Sequence, residues 1–257
     1  MTKFTILVMR KSPNLVIFIC LSILALGFFE LRAHNASGGF AVVELFTSEG
    51  CSSCPPADEA VAELAQDYRE NVYVLGFHVD YWNSLGWKDE FSNPTYSNRQ
   101  KQYASILNLE GIYTPQIIVN GRTEFVGSDK ATLISSVRHA LQSEVRNDFK
   151  VFAKCKDGKI VVVSIPTQGS KDQLIVIALV QLHATSQVGK GENKGKTLQH
   201  INIVRDMTSL EAMDQTQVAN LKLPPGAKIG EFRIIAFRQE KVGWAILNAT
   251  ESPITNL

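Results

Sequence analysis

Of the 257 residues, 45% are apolar and 20% charged, a globular composition with material for about two domains, which excludes a disordered or collagen-like chain. Lys plus Arg number 26 against 25 Asp plus Glu, a formal charge of +1. No cationic surplus draws such a chain onto a phosphate backbone or an anionic membrane, so no nucleic acid is expected as a partner.

The N-terminus carries Lys3, Arg10 and Lys11, then an apolar run from Leu15 to Phe29, then Glu30, Arg32 and the small residues Ala33 and Ala36. Basic, apolar and small in that order predicts an export signal over 1–33, cut after Ala33, or an uncleaved anchor. The apolar run spans only about 22 Å as a helix, against about 30 Å of hydrocarbon, which favours the signal. Membrane contact is expected only through this segment, if it is retained. Its removal takes four basic residues and one acidic residue, so 22 face 24 and the charge becomes −2. Cys51, Cys54 and Cys155 then remain in an oxidising compartment, where an odd count predicts one pair and one single thiol.

The first element is a continuous apolar run from Phe40 to Thr47, a strand buried on both faces. Pro55 and Pro56 open a helix with Ala57, Ala60, Val61, Leu64, Ala65 and Tyr68 at the spacing of an amphipathic stripe. Prolines suit its first turn, whose N–H groups lack partners within the helix. A second strand runs from Val72 to His78, and strand, helix, strand calls for a parallel crossover. Residues 80–110 form an insertion rich in aromatic and amide groups, with one helix from about Pro94 to Leu107. Gln116–Val119, the turn Asn120-Gly121 and Thr123–Val126 predict an antiparallel hairpin. A helix from Asp129 to about Val145 follows, with Leu133, Ile134, Val137 and Leu141 as its buried stripe.

Beyond about Arg146 the texture changes to β-branched runs at 149–155, 160–165, 174–183, 198–207, 218–223, 232–239 and 243–248. About seven such strands suggest a sandwich. The elements together predict an α/β thioredoxin-like domain over 38–146, with the insertion at 80–110, followed by a C-terminal all-β, sandwich-like domain over 147–257.

Cys51-Ser52-Ser53-Cys54 falls between a buried strand and the start of a helix. The unpaired N–H groups and partial positive charge there favour a thiolate. Cys51 is the candidate attacking sulfur, and Cys54, one turn further in, the thiol that resolves the mixed disulfide. The same spacing also suits a permanent structural disulfide, or half of a zinc site lacking its second ligand pair. Thr114 and Pro115 stand where a cis proline would face the cysteines and pair with an extended substrate, the alternative being a trans proline opening an edge strand. Glu44, a carboxylate among apolar neighbours, is placed to take the proton from Cys54, or else reaches solvent or a nearby N–H.

His78 at the end of the second strand offers a metal ligand beside Cys51 and Cys54, as in a copper carrier, or is a hydrogen-bonded structural residue. Trp82 and Trp87 line a groove for a peptide or glycan, or form the insertion's own core. The Gly189–Lys196 loop lacks Walker spacing and a following helix, and reads as a solvated hairpin. Cys155 reads as a buried inert thiol. The pattern requires no cofactor.

Phe46–Asp58, His78–Asn83 with Gly86–Asp89, Tyr113–Gln116 and Gly191–Leu198 together resemble a secreted, thioredoxin-like bacterial family catalogued as a domain of unknown function, number 1223. The resemblance spans roughly Phe40 to Asn248. It implies export, a thioredoxin-like fold with an appended β-rich part, a cysteine pair at Cys51 and Cys54, and the Thr-Pro at Thr114 and Pro115. Glu49 stands where Gln is common in that family, and an acid there opposes a thiolate. The expectation is an exported thiol–disulfide oxidoreductase-like protein acting on protein thiols or disulfides. The alternatives are a non-catalytic binding module with a structural disulfide, and a copper-binding carrier.

Overall fold

The computed structural model describes residues 38–143, 150–165 and 170–256. The segment expected to be a signal or anchor, 1–33, lies outside them. Among the described residues there are eleven strands: β1 Ala41–Thr47, β2 Val72–His78, β3 Gln116–Val119, β4 Thr123–Val126, β5 Lys150–Lys156, β6 Lys159–Ile165, β7 Ser170–Gln187, β8 Thr197–Ala212, β9 Gln217–Lys222, β10 Phe232–Glu240 and β11 Ile246–Asn256. Among the described residues there are three α-helices, α1 Pro55–Asp67, α2 Pro94–Ile106 and α3 Lys130–Leu141, and two 3-10 turns at Tyr81–Leu85 and Ile229–Glu231.

The strands form one mixed sheet in the order β4-β3-β1-β2-β8-β7-β10-β11-β5-β6-β9. This corrects the expected fold class. The chain is mostly β, and its first half is not an α/β thioredoxin-like domain set beside a separate all-β domain. β2 pairs in parallel with β8 through Gly76 and Ile203, so the sheet runs across the boundary that the change in sequence texture suggested. The core crosses it too, because Phe46, Phe77, Tyr96 and Tyr103 share one cluster with Val176, Ala178, Val180, Ile235 and Phe237.

Local sequence explains the elements. All seven residues of β1 are buried. Its odd positions, Ala41, Val43 and Leu45, face Ala57, Val61 and Leu64 of α1 and Leu133 and Val137 of α3, while Val42 and Phe46 face α2 and the long strands. Helix α1 begins with proline at its first two positions, and α2 with Pro94 behind an Asn93 cap whose side chain accepts from Thr95 N at 2.9 Å. The β3–β4 turn has Asn120 at φ 50° and Gly121 at φ 67°, the left-handed pair of a type I′ hairpin. Alternate residues of β7, Ile175, Ile177 and Leu179, pack with β5, β6 and β9 residues in a second core, which gives that end its layered character.

Candidate functional site: a buried disulfide beneath a hairpin loop

β1 delivers the chain to Cys51, and Cys54 is the N-cap of α1. The two sulfurs are joined in a disulfide, with Cα atoms 5.4 Å apart. Both cysteines are 0% exposed, whereas Ser52 and Ser53 between them face solvent. The expected solvent-facing thiolate at Cys51 is thus absent from this state. The donors expected from the helix start are scarce as well: Pro55 and Pro56 have no N–H, and Ala57 N and Asp58 N both donate to the Cys54 carbonyl, at 2.9 and 3.1 Å.

Thr114 and Pro115 do lie against the pair. Cys51 Sγ is 3.7 Å from the Thr114 carbonyl oxygen and 3.3 Å from Ser53 Oγ. The Thr114–Pro115 peptide is cis. Trp82 Nε1 donates to Thr114 Oγ1 at 2.8 Å, so this tryptophan braces the wall beside the sulfurs.

Glu44 and His78 are engaged elsewhere. Glu44 is 0% exposed and binds Arg99 through two bonds, Nη2 to Oε1 at 2.6 Å and Nε to Oε2 at 2.9 Å. Tyr103 Oη adds a third, at 3.2 Å. The Arg99 guanidinium lies within 5.7 Å of the ring centroids of Phe77, Tyr103, Phe237 and Trp244, a cation–π cage tying α2 to β2 and β10. His78 Nδ1 is 2.7 Å from Asp89 Oδ2. Among the described residues no group of three or more His, Cys, Asp or Glu side chains is arranged to hold a metal ion.

Sequence reasoning missed a buried charged cluster and a loop. Asp89 Oδ2 also accepts from Glu49 N at 3.0 Å. Trp87 Nε1 donates to Glu49 Oε2 at 2.6 Å. His200, on β8, stands between two acids: Nε2 is 3.6 Å from Glu49 Oε1 and Nδ1 is 3.9 Å from Asp58 Oδ1. These are ion-pair contacts beyond hydrogen-bond length. Burial disfavours the His200 imidazolium, but Asp58 and Glu49 outweigh it and push its pKa up to about 9. Burial and the Asp89 charge press the Glu49 carboxyl upward, and His200 and Trp87 hold it below the usual range all the same. The acid expected to oppose a thiolate is therefore paired with a cation.

The Gly189–Lys196 loop, expected to be solvated, rests on the cysteine segment. Asn193 is 0% exposed, and its Nδ2 donates to the carbonyls of Glu49 and Cys51 at 2.9 and 2.8 Å. Glu192 Oε2 accepts from Ser52 N at 2.9 Å. The signal for this contact was the Gly191–Leu198 run that carried part of the family resemblance. Nothing near His200 in the chain marks it. Cys155 is a free, buried cysteine on β5.

No helix among the described residues is long and apolar enough to cross a membrane. Among curated proteins none matches. Among solved structures the chain is similar to protein AGR_C_4864 from Agrobacterium tumefaciens, at 29% identity and a TM-score of 0.64, covering 82% of this chain and 92% of that one. It shares its fold with HBP35 of Porphyromonas gingivalis, at 16% identity and a TM-score of 0.55, over 84% of this chain and 75% of that one. The family described as protein of unknown function, DUF1223, matches residues 42–239, and the chain belongs to that family.

Proposed function

We propose that the protein acts in an exported compartment as a thiol–disulfide exchange protein, with protein thiols or disulfides as its substrates and Cys51 and Cys54 as the exchanging pair. The observation that carries this reading is the sequence separation of 3 between the bonded cysteines. A loop this short restricts the unfolded chain little: the chain-entropy relation gives about 2 kcal/mol, against about 4.7 kcal/mol for a loop of about 100 residues. As a staple it contributes little, whereas adjacent cysteines suit reversible exchange, because each sulfur stays within reach of the other. The basic, apolar and small-residue order at the N-terminus supports export.

In the reducing direction, a partner thiolate attacks Cys51 Sγ. A new S–S bond forms as the Cys51–Cys54 bond breaks, and the electron pair leaves on Cys54 Sγ. The partner's second thiolate then attacks its own sulfur in the mixed disulfide and releases Cys51. The partner dithiol becomes a disulfide, and its two electrons and two protons end on Cys51 and Cys54. In the reverse direction Cys51 attacks and Cys54 resolves. Thr114, whose carbonyl lies beside Cys51 Sγ, forms with Pro115 the wall along which a partner chain aligns.

Insulin reduction and refolding of scrambled ribonuclease by the wild type and by Cys51→Ser test this: activity in the wild type and its loss in the variant are expected, and equal rates overturn the reading. The complete burial of both cysteines favours a second reading, a binding module with a structural disulfide. In that case reduction lowers the melting temperature while neither form shows exchange activity.

A further inference from the structure

An attacking thiol needs a straight approach to sulfur, and the closed state offers none, since both cysteines are 0% exposed. Something must move before exchange begins. The hairpin tip between β7 and β8 has the properties of the moving part. It is tied to itself, through Val188 N to Lys196 O at 3.0 Å, Gly195 N to Val188 O at 2.8 Å and Lys196 N to Asn193 O at 3.0 Å, so it moves as a unit. Its hold on the cysteine segment consists of few bonds, the Glu192 carboxylate on Ser52 N and the Asn193 amide on the Glu49 and Cys51 carbonyls. Lys196 Nζ donates to Asn193 Oδ1 at 3.0 Å and fixes the direction of that amide.

One further contact is apolar and sets the loop's height. A Cβ placed on Gly189 would come 2.9 Å from the Trp87 ring, so only glycine lets the loop lie flat on that indole. The grip is thus mainly polar and placed on backbone atoms, buried at Asn193 and solvent-facing at Glu192, and none of its residues joins a hydrophobic cluster, a kind of contact that opens without unfolding a core.

We infer that Val188–Lys196 is a latch on the cysteine pair: Glu192 and Asn193 are positioning residues that hold Cys51–Ser53 in the closed arrangement, and their release admits a partner thiol to the disulfide. The inference deepens the exchange reading by giving its regulation, and it rests on that reading for its biological use.

The test is the rate at which dithiothreitol reduces the disulfide of the full chain, followed by thiol labelling and mass. Glu192→Ala removes one bond from the exposed side and is expected to speed reduction about tenfold, and Asn193→Ala, which removes two, by more. Glu192→Gln keeps an oxygen for Ser52 N and is expected to retain most of the protection. Melting temperatures separate latch release from general loosening, because Glu192→Ala is expected to melt with the wild type. Unchanged reduction rates in Glu192→Ala overturn the latch, as does acceleration matched by a fall in melting temperature. Faster reduction without exchange on insulin upholds the latch and ends the exchange reading. Insulin activity with unchanged reduction rates does the reverse.

Discussion

Replacing Arg99 with Met removes the cation from a buried ion pair while keeping an unbranched side chain of similar length. Glu44 then keeps one hydrogen bond, from Tyr103 Oη, and loses both bonds from the guanidinium, on Oε1 and on Oε2. A buried carboxylate deprived of its partner costs about 3–5 kcal/mol. For a domain of this size that corresponds to a fall in melting temperature of roughly 6–20 °C. Thermal and urea unfolding of Arg99→Met measure it. Adding Glu44→Gln removes the stranded charge, and the double variant is expected to recover more than about 1 kcal/mol over Arg99→Met alone. If Arg99→Met unfolds within about 1 kcal/mol of the wild type, or if the second change brings no recovery, Glu44 is not the enclosed anion described here.

Two further outcomes follow from the geometry. Folding raises the His200 pKa from 6.5 to about 9, so its contribution to stability is complete below about pH 6.5 and is lost as pH rises through about 9. The urea midpoint of the oxidised protein is expected to fall across that window and to flatten in His200→Gln, and a ring titration midpoint near 6.5 by NMR would contradict this. Gly121 has φ 67°, and a Cβ there would come 2.1 Å from the Trp244 carbonyl oxygen. Gly121→Ala is therefore expected to cost about 1–3 kcal/mol, while Gly230→Ala, with nothing within 4 Å of its added carbon, melts with the wild type.

Much of the local structure was legible because its signals are local. Pro55-Pro56 and Asn93-Pro94 mark helix starts, Asn120-Gly121 marks a hairpin, and the β1 run marks a strand buried on both faces. The long-range architecture was not. The Gly76–Ile203 pairing that merges the two halves is not written in either strand's hydrophobic pattern, since that pattern reports what covers a strand's faces and not which strand flanks its edge. At the site, the spacing of Cys51 and Cys54 announced their pairing. The groups bonded around them, Trp82 on Thr114, Asn193 on the Cys51 carbonyl and Glu192 on Ser52 N, arrive from elsewhere in the chain. Glu44 was read as a lone carboxylate because its partner stands 55 positions away on a helix of polar composition.

The junction at Gly76 has a bearing on biogenesis. Its neighbour Ile203 lies 127 positions further along the chain, so while the polypeptide emerges in order, β2 has one flank uncovered until β8 is made. An uncovered flank is a template on which foreign extended segments align, and contacts of such high sequence separation form late. β2 therefore keeps an adhesive flank, and the first half an incomplete core, until β8 and its neighbours are made.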